Sequence, residues 1–214
     1  MFKKDKYVVI RQAISKDLAA FVANYFVIKK QVFDTCRQTR FISPYEILLG
    51  EYEAADGQIP HTYSCYSDIA METLMLKCQP IMEKTTGLKL TPAYTFARIY
   101  KNGDVLKRHK DRFSCEISTT MNLGGDPWPI YLSPNENVGI PDGKKITVES
   151  KAKGIKVDLK PGDMLIFAGH ELEHWREPFQ GKVCSQVFLH YNHANGPFAQ
   201  TNLFDKRPML GIPK

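Results

Sequence analysis

The chain has 214 residues, 43% of them hydrophobic, with a formal net charge of +6. That is enough apolar content for one large domain with a sizeable core, and no apolar run approaches the roughly 20 residues that a membrane-spanning helix needs. The lysines are scattered rather than gathered in an aromatic-interleaved run, which favours an anionic ligand over nucleic acid as the reason for the basic surplus.

Five cysteines (Cys36, Cys65, Cys78, Cys115 and Cys184) are odd in number, far apart and without a Cys-x-x-Cys pair. They suggest neither a disulfide framework nor a zinc cluster, and the expected home is a reducing cytoplasm. The start, Met1-Phe2-Lys3-Lys4, is basic but leads into only a short apolar patch, so it does not read as a secretory signal.

In chain order, residues 7–10 read as a short strand. Ser15 is an expected N-cap with Asp17 in the first turn. Leu18, Phe21, Val22, Tyr25 and Phe26 then repeat with helical spacing, which predicts a helix to about Cys36 with this aromatic stripe in the core. Residues 38–66 lack periodicity and carry Pro44, Gly50, Gly57 and Pro60. They are expected to form a long loop with short ordered pieces, and a loop of this length is usually functional. A second helix is predicted over about 67–85, with Ile69, Ala70, Leu74, Ile81 and Met82 as its apolar positions and Gly87 as its C-cap. From Pro92 the pattern turns to short strands at 93–101, 115–123, 129–132, 145–149, 155–159, 163–167 and 183–191. Gly124-Gly125-Asp126-Pro127 and Pro161-Gly162 are expected turns, and 135–143 an expected loop. Strands of this length and spacing indicate a double-sheet jelly roll.

The chemistry-bearing triplet is His109-Lys110-Asp111. On a strand, residues i and i+2 share a face, so one short piece of backbone can offer an imidazole and a carboxylate to one metal. A solvated histidine in the basic stretch 107–110 is the competing reading of His109. A second histidine from a later strand would complete a two-histidine, one-carboxylate set, which leaves open positions and suits a non-haem Fe(II) oxygenase. His170, His174, His190 and His193 all compete for that place.

Three pieces of the chain resemble one family: Arg98-Ile99-Tyr100-x-x-Gly103-Asp104-x-Leu106-x-x-His109-x-Asp111, then Pro161-Gly162-Asp163-x-Leu165-Ile166-Phe167, then His174-x-x-x-Pro178-x-x-Gly181-Lys182. Together, over roughly residues 93–191, they resemble the prolyl-4-hydroxylase-like branch of the iron(II)/2-oxoglutarate dioxygenases. The resemblance implies an α+β protein whose core is a double-stranded β-helix, or jelly roll, with N-terminal helices packed on one sheet. It implies one catalytic domain over 1–214, with a helical part at about 1–90 and the jelly-roll core at about 91–200.

The same resemblance selects His174, four residues before Pro178, as the distal ligand beside His109 and Asp111. It assigns the far carboxylate of 2-oxoglutarate to Lys182, although this lies slightly earlier than the family's usual position, where Val183 and Cys184 stand here. Arg176 and then Arg98 are the next candidates, and Tyr100 matches a tyrosine that bonds the co-substrate. The implied cofactors are Fe(II) and 2-oxoglutarate, with ascorbate as an accessory reductant. The implied partners are 2-oxoglutarate, O₂ and a small-molecule or peptide substrate hydroxylated at an unactivated C–H bond. Retention of Asp111 favours hydroxylation over halogenation. Arg112, Glu116, Asp126 and Trp128 are candidates for substrate contact. The alternatives are a cupin-like metal-binding protein without oxygenase activity, an oxygenase acting on nucleic acid, and a basic interaction module.

Overall fold

The computed structural model describes residues 2–43, 45–52, 59–133, 146–147 (backbone) and 151–213. The expected loop at 135–143 and most of the expected strand at 145–149 lie outside them. A short helix, α1 (Phe2–Asp5), which the sequence reading does not anticipate, precedes β1 (Tyr7–Ile10). The first long helix, α2 (Lys16–Gln38), starts where the Ser15 side chain accepts a hydrogen bond from the Leu18 N–H at 3.1 Å. The second, α3 (Ile69–Thr86), is capped by the Asp68 carboxylate, which takes the Met71 N–H, and closed by Gly87 at φ 72°. A carboxylate at the N-cap satisfies an orphan amide, so α3 begins after Asp68 rather than at Ser67.

Among the described residues, ten further strands follow in chain order: β2 (Ser64–Tyr66), β3 (Leu90–Lys101), β4 (Leu106–Lys110), β5 (Ile117–Gly125), β6 (Ile130–Ser133), β7 (Ile146–Thr147), β8 (Ile155–Val157), β9 (Met164–Phe167), β10 (Glu173–Arg176) and β11 (Val183–His193). They form two antiparallel sheets. The larger runs β1-β9-β5-β11-β3-β2 and the smaller runs β7-β4-β10-β6-β8. This is a double-stranded β-helix in an α+β chain.

Side-chain alternation decides what lies inside. On β3, Ala97 and Ile99 join Val187, Leu189, Met121 and the buried faces of α2 and α3 in one core on the outside of the large sheet. The intervening residues Tyr94, Phe96, Arg98 and Tyr100 line the space between the sheets. Both faces of these central strands are covered, so they read as near-continuous buried runs.

Several expectations need correction. Phe21 is 71% exposed and Ile69 70% exposed, so neither belongs to the core. Val22 and Phe26 sit one turn apart and point at the sheet; Phe21, rotated by about 100° from Val22, points away. The expected 115–123 strand begins with a short 3₁₀ turn (Phe113–Cys115), and Gly124 and Gly125 belong to β5 rather than to a turn. The pairing of β5 with β11 slips by one residue between Ser185 and Gln186, the local irregularity of a bulge. The segment holding His174, which lies between the expected strands at 163–167 and 183–191, is itself a strand, β10. None of the described helices is long and apolar enough to cross a membrane.

Candidate metal centre and its cavity

His109 lies near the end of β4, and Asp111 lies one residue beyond it, held by its own N–H to the Gly169 carbonyl at 2.8 Å. His174 is the cross-strand partner of His109 on β10. The register of β4 and β10 then slips, so that Arg176 pairs with Leu106. The slip lets Leu106 and His109, three residues apart, both face the space between the sheets.

Each imidazole places Nδ1 against the carbonyl two residues upstream, His109 on Lys107 O at 2.7 Å and His174 on Leu172 O at 2.9 Å. A carbonyl only accepts, so Nδ1 carries the proton in both rings and Nε2 presents a lone pair. Those two Nε2 atoms face the two oxygens of one carboxylate: His109 Nε2 is 3.5 Å from Asp111 Oδ1, and His174 Nε2 is 3.6 Å from Asp111 Oδ2. These separations exceed a hydrogen bond and match the edges of a ligand set around one ion. All three side chains are buried. The donor set therefore fits a first-row divalent metal, and outer carbonyls already fix both tautomers.

The three donors open onto a cavity of about 570 Å³ with largely aromatic walls. Tyr100 lines it and packs edge-on to Trp128 at 4.7 Å. Arg176 is fully buried, two residues after His174. Its guanidinium donates to the Trp128 carbonyl and, at 3.0 Å, to Thr120 Oγ1. Its Nε–H has no hydrogen-bond partner, and no carboxylate pairs with it among the described residues. Burial lowers the Arg176 pKa, against the opposing influence of Tyr100 and Cys184. A buried cation without a counter-charge is costly; Arg176 is not itself among the residues that line the cavity, whereas Arg98, the third candidate from sequence, is.

Lys182, the first choice from sequence for the co-substrate carboxylate, is exposed on the turn before β11, and its N–H bonds Asp126 Oδ2 at 2.6 Å; like Arg176, it is not among the residues lining the cavity. A turn lysine gains most by staying in water, whereas Arg176 is carried inside by β10.

His170 packs edge-on to Phe113 and Phe198 and stays outside the donor cluster. His190 does line the cavity. Of the substrate-contact candidates, Arg112 lines the cavity. Glu116 instead accepts from Asn192 and the His193 N–H, Asp126 holds the β11 turn, and Trp128 donates Nε1–H to Glu177 O. Sequence reasoning missed Asp205, which takes the Arg112 guanidinium through both oxygens at 2.8 Å and the Tyr66 hydroxyl at 2.5 Å. Nothing local marks it, because its partners lie about ninety or more residues upstream.

No family model and no curated protein matches the sequence. Solved structures do match in fold. A prolyl-4-hydroxylase of Pseudomonas putida is 15% identical, covers 89% of this chain and 95% of its own, and gives a TM-score of 0.53. The non-haem α-ketoglutarate-dependent epimerase SnoN of nogalamycin biosynthesis is 12% identical over 90% of this chain and 80% of its own, at 0.64. EctD from S. alaskensis, solved with 2-oxoglutarate and 5-hydroxyectoine, is 14% identical over 100% and 81%, at 0.57. The chain has the fold of the 2-oxoglutarate-dependent oxygenases.

Proposed function

We propose that this chain is an Fe(II)/2-oxoglutarate-dependent dioxygenase, one catalytic domain over 1–214, that hydroxylates an unactivated C–H bond of a small molecule or an amino-acid or peptidyl substrate. The observation that carries the reading is the joint placement of His109, Asp111 and His174 at the wall of one cavity, with a buried guanidinium, Arg176, two residues after His174 on β10. The three side chains would hold the iron. Bound there with 2-oxoglutarate and O₂, it supplies oxidation of a C–H bond coupled to decarboxylation of 2-oxoglutarate to succinate.

The protein's own groups do the rest. Arg176 offers its Nε–H and its charge to the far carboxylate of 2-oxoglutarate, and Tyr100, which lines the cavity, offers its hydroxyl. The carbonyls of Lys107 and Leu172 keep both imidazoles in the ligating tautomer. Phe96, Phe167 and Phe188 keep the walls apolar and exclude water. Asp205 fixes Arg112, whose guanidinium lies 4.6 Å from the Tyr94 ring, and both residues line the cavity left for substrate. Five free cysteines accord with a reducing cytoplasm, where ascorbate can serve as accessory reductant.

The test is succinate formation from 2-oxoglutarate with Fe(II) across a panel of amino acids, peptides and oligonucleotides. A substrate-dependent rise with an amino acid or peptide supports the reading. A rise with oligonucleotides alone moves the substrate to nucleic acid, and no succinate under any condition rejects oxygenase activity.

A further inference from the structure

Asp111 belongs to a second group of metal-ligating side chains. A carboxylate oxygen of Asp111, Cys115 Sγ and a ring nitrogen of His190 lie within 4.8 Å of one another, and all three residues are buried. They come from separate pieces of chain: the exit of β4, the 3₁₀ turn after it, and β11 in the opposite sheet. All three line the cavity.

The surroundings are ordered. Ser118 Oγ is 2.9 Å from His190 Nδ1 and 3.5 Å from Asp111 Oδ2. The Tyr94 hydroxyl is 3.1 Å from Cys115 Sγ, and its ring packs against the tilted His190 ring with centroids 4.5 Å apart. These contacts hold the imidazole and the thiol in place, so little side-chain ordering remains for an ion to impose.

The ligand chemistry differs from that of the first group. Two imidazoles and a carboxylate suit iron(II), whereas a thiolate, an imidazole and a carboxylate suit a four-coordinate, thiophilic ion. We propose that Asp111, Cys115 and His190 form a second metal site, selective for a thiophilic divalent ion such as Zn²⁺, that shares Asp111 with the His109–His174 site. A carboxylate has two oxygens, so one residue can serve both ions. Binding exchanges the Cys115 S–H proton for the metal; the proton leaves to solvent, and no oxidation state changes. An ion held there stands in the same cavity as the first site, so zinc uptake fills part of the substrate chamber.

The experiment is an anaerobic titration of the wild-type chain with Co²⁺, followed by zinc X-ray absorption on the chain loaded with two equivalents of Zn²⁺. The expected result is a second equivalent of Co²⁺ that brings a near-ultraviolet thiolate charge-transfer band, and a Zn–S shell at about 2.3 Å. In Cys115→Ser the band and the sulfur shell disappear while one equivalent still binds. In His174→Ala the sulfur band persists, so a failure of the iron reading does not remove this signal. The proposal is overturned by uptake of one or two equivalents without a sulfur band or shell, or by a band that survives Cys115→Ser and so belongs to another cysteine; one equivalent that carries the band would instead count against the His109–His174 site alone. The wild-type X-ray measurement stands alone if the serine variant does not fold.

Discussion

At the scale of single residues, the candidate centre depends on space as much as on ligands. Gly169 donates no side chain, yet a Cβ there would lie 2.6 Å from Asp111 Oδ2, 2.6 Å from the Cys115 carbonyl and 2.7 Å from Ser118 Oγ. Gly169→Ala should therefore push the carboxylate away from the two imidazoles and weaken Fe(II) binding by about tenfold or more, the usual scale for disturbing a ligand's support. Equilibrium dialysis of iron measures this. A second expectation separates the two basic residues: Arg176→Met should raise the KM for 2-oxoglutarate by at least about tenfold, since a carboxylate left buried without its cation forfeits ~1.5–3 kcal/mol. Lys182→Ala should leave that KM unchanged; the reverse pattern would return the role to the turn lysine. His109 and Asp111 are legible in the sequence because one short piece of backbone, the end of β4 and the residue after it, carries both. Arg176 could be weighed but not ranked first, since its merit is burial on β10, and Glu173-His174-Trp175-Arg176 does not look like an interior strand until its register with β4 and β6 is known.

At the scale of elements, caps and periodicity locate α2 and α3 to within a few residues, while the facing of each residue depends on the partner sheet. Phe26 is fully buried against that sheet and touches the Tyr63 ring at 5.4 Å, whereas Phe21 is solvent-facing. Phe26→Ala should cost about 3–5 kcal/mol of stability, and Phe21→Ala should stay within ~0.5 kcal/mol; urea unfolding of the two variants decides. The turn before β9 carries a pH effect. Burial of Asp163 raises its pKa, but the N–H groups of Gln12 and Lys160 and the Arg11 guanidinium outweigh this and hold it below the usual carboxylate range. A carboxyl with a lowered folded pKa contributes stability that is present above its unfolded value, about 4, and is lost as pH falls through the folded value. Asp163→Asn should therefore lose stability near neutrality and show a shallower decline in acid. Denaturant midpoints measured from neutral pH down to acid would show it, and parallel curves for the two proteins would refute it. The β2 strand inside the expected loop, by contrast, follows from pairing with β3 and from the Glu51–Ser64 bridge, neither of which a local pattern contains.

At the scale of the whole molecule, the jelly-roll class could be read from strand spacing, and the cavity could not. Its walls combine residues of β3 and β11 with residues of β4 and β10, and its lining is completed by Ile47 and Glu51 from before β2 and by Asp205 and Pro213 from near the end of the described residues. Asp205 sits in a run of left-handed residues, Phe204 to Lys206 at φ 47°, 53° and 65°. Such backbone persists only where the surroundings enforce it, here through the Arg112–Asp205 pair and the buried Arg207–Glu72 pair. These ties join sequence positions far apart, which is why composition and periodicity miss them. What the assembled cavity does rests on one claim, that His109, Asp111 and His174 together hold iron(II) and present it to 2-oxoglutarate. Anaerobic addition of 2-oxoglutarate to the Fe(II)-loaded chain, watched for the visible metal-to-ligand charge-transfer band of a chelated 2-keto acid, tests it without knowledge of the substrate. The band is expected in the wild-type chain and in His170→Ala, and its loss in His174→Ala; no band in the iron-loaded wild type, or an undiminished band in His174→Ala, would contradict iron binding at these three residues.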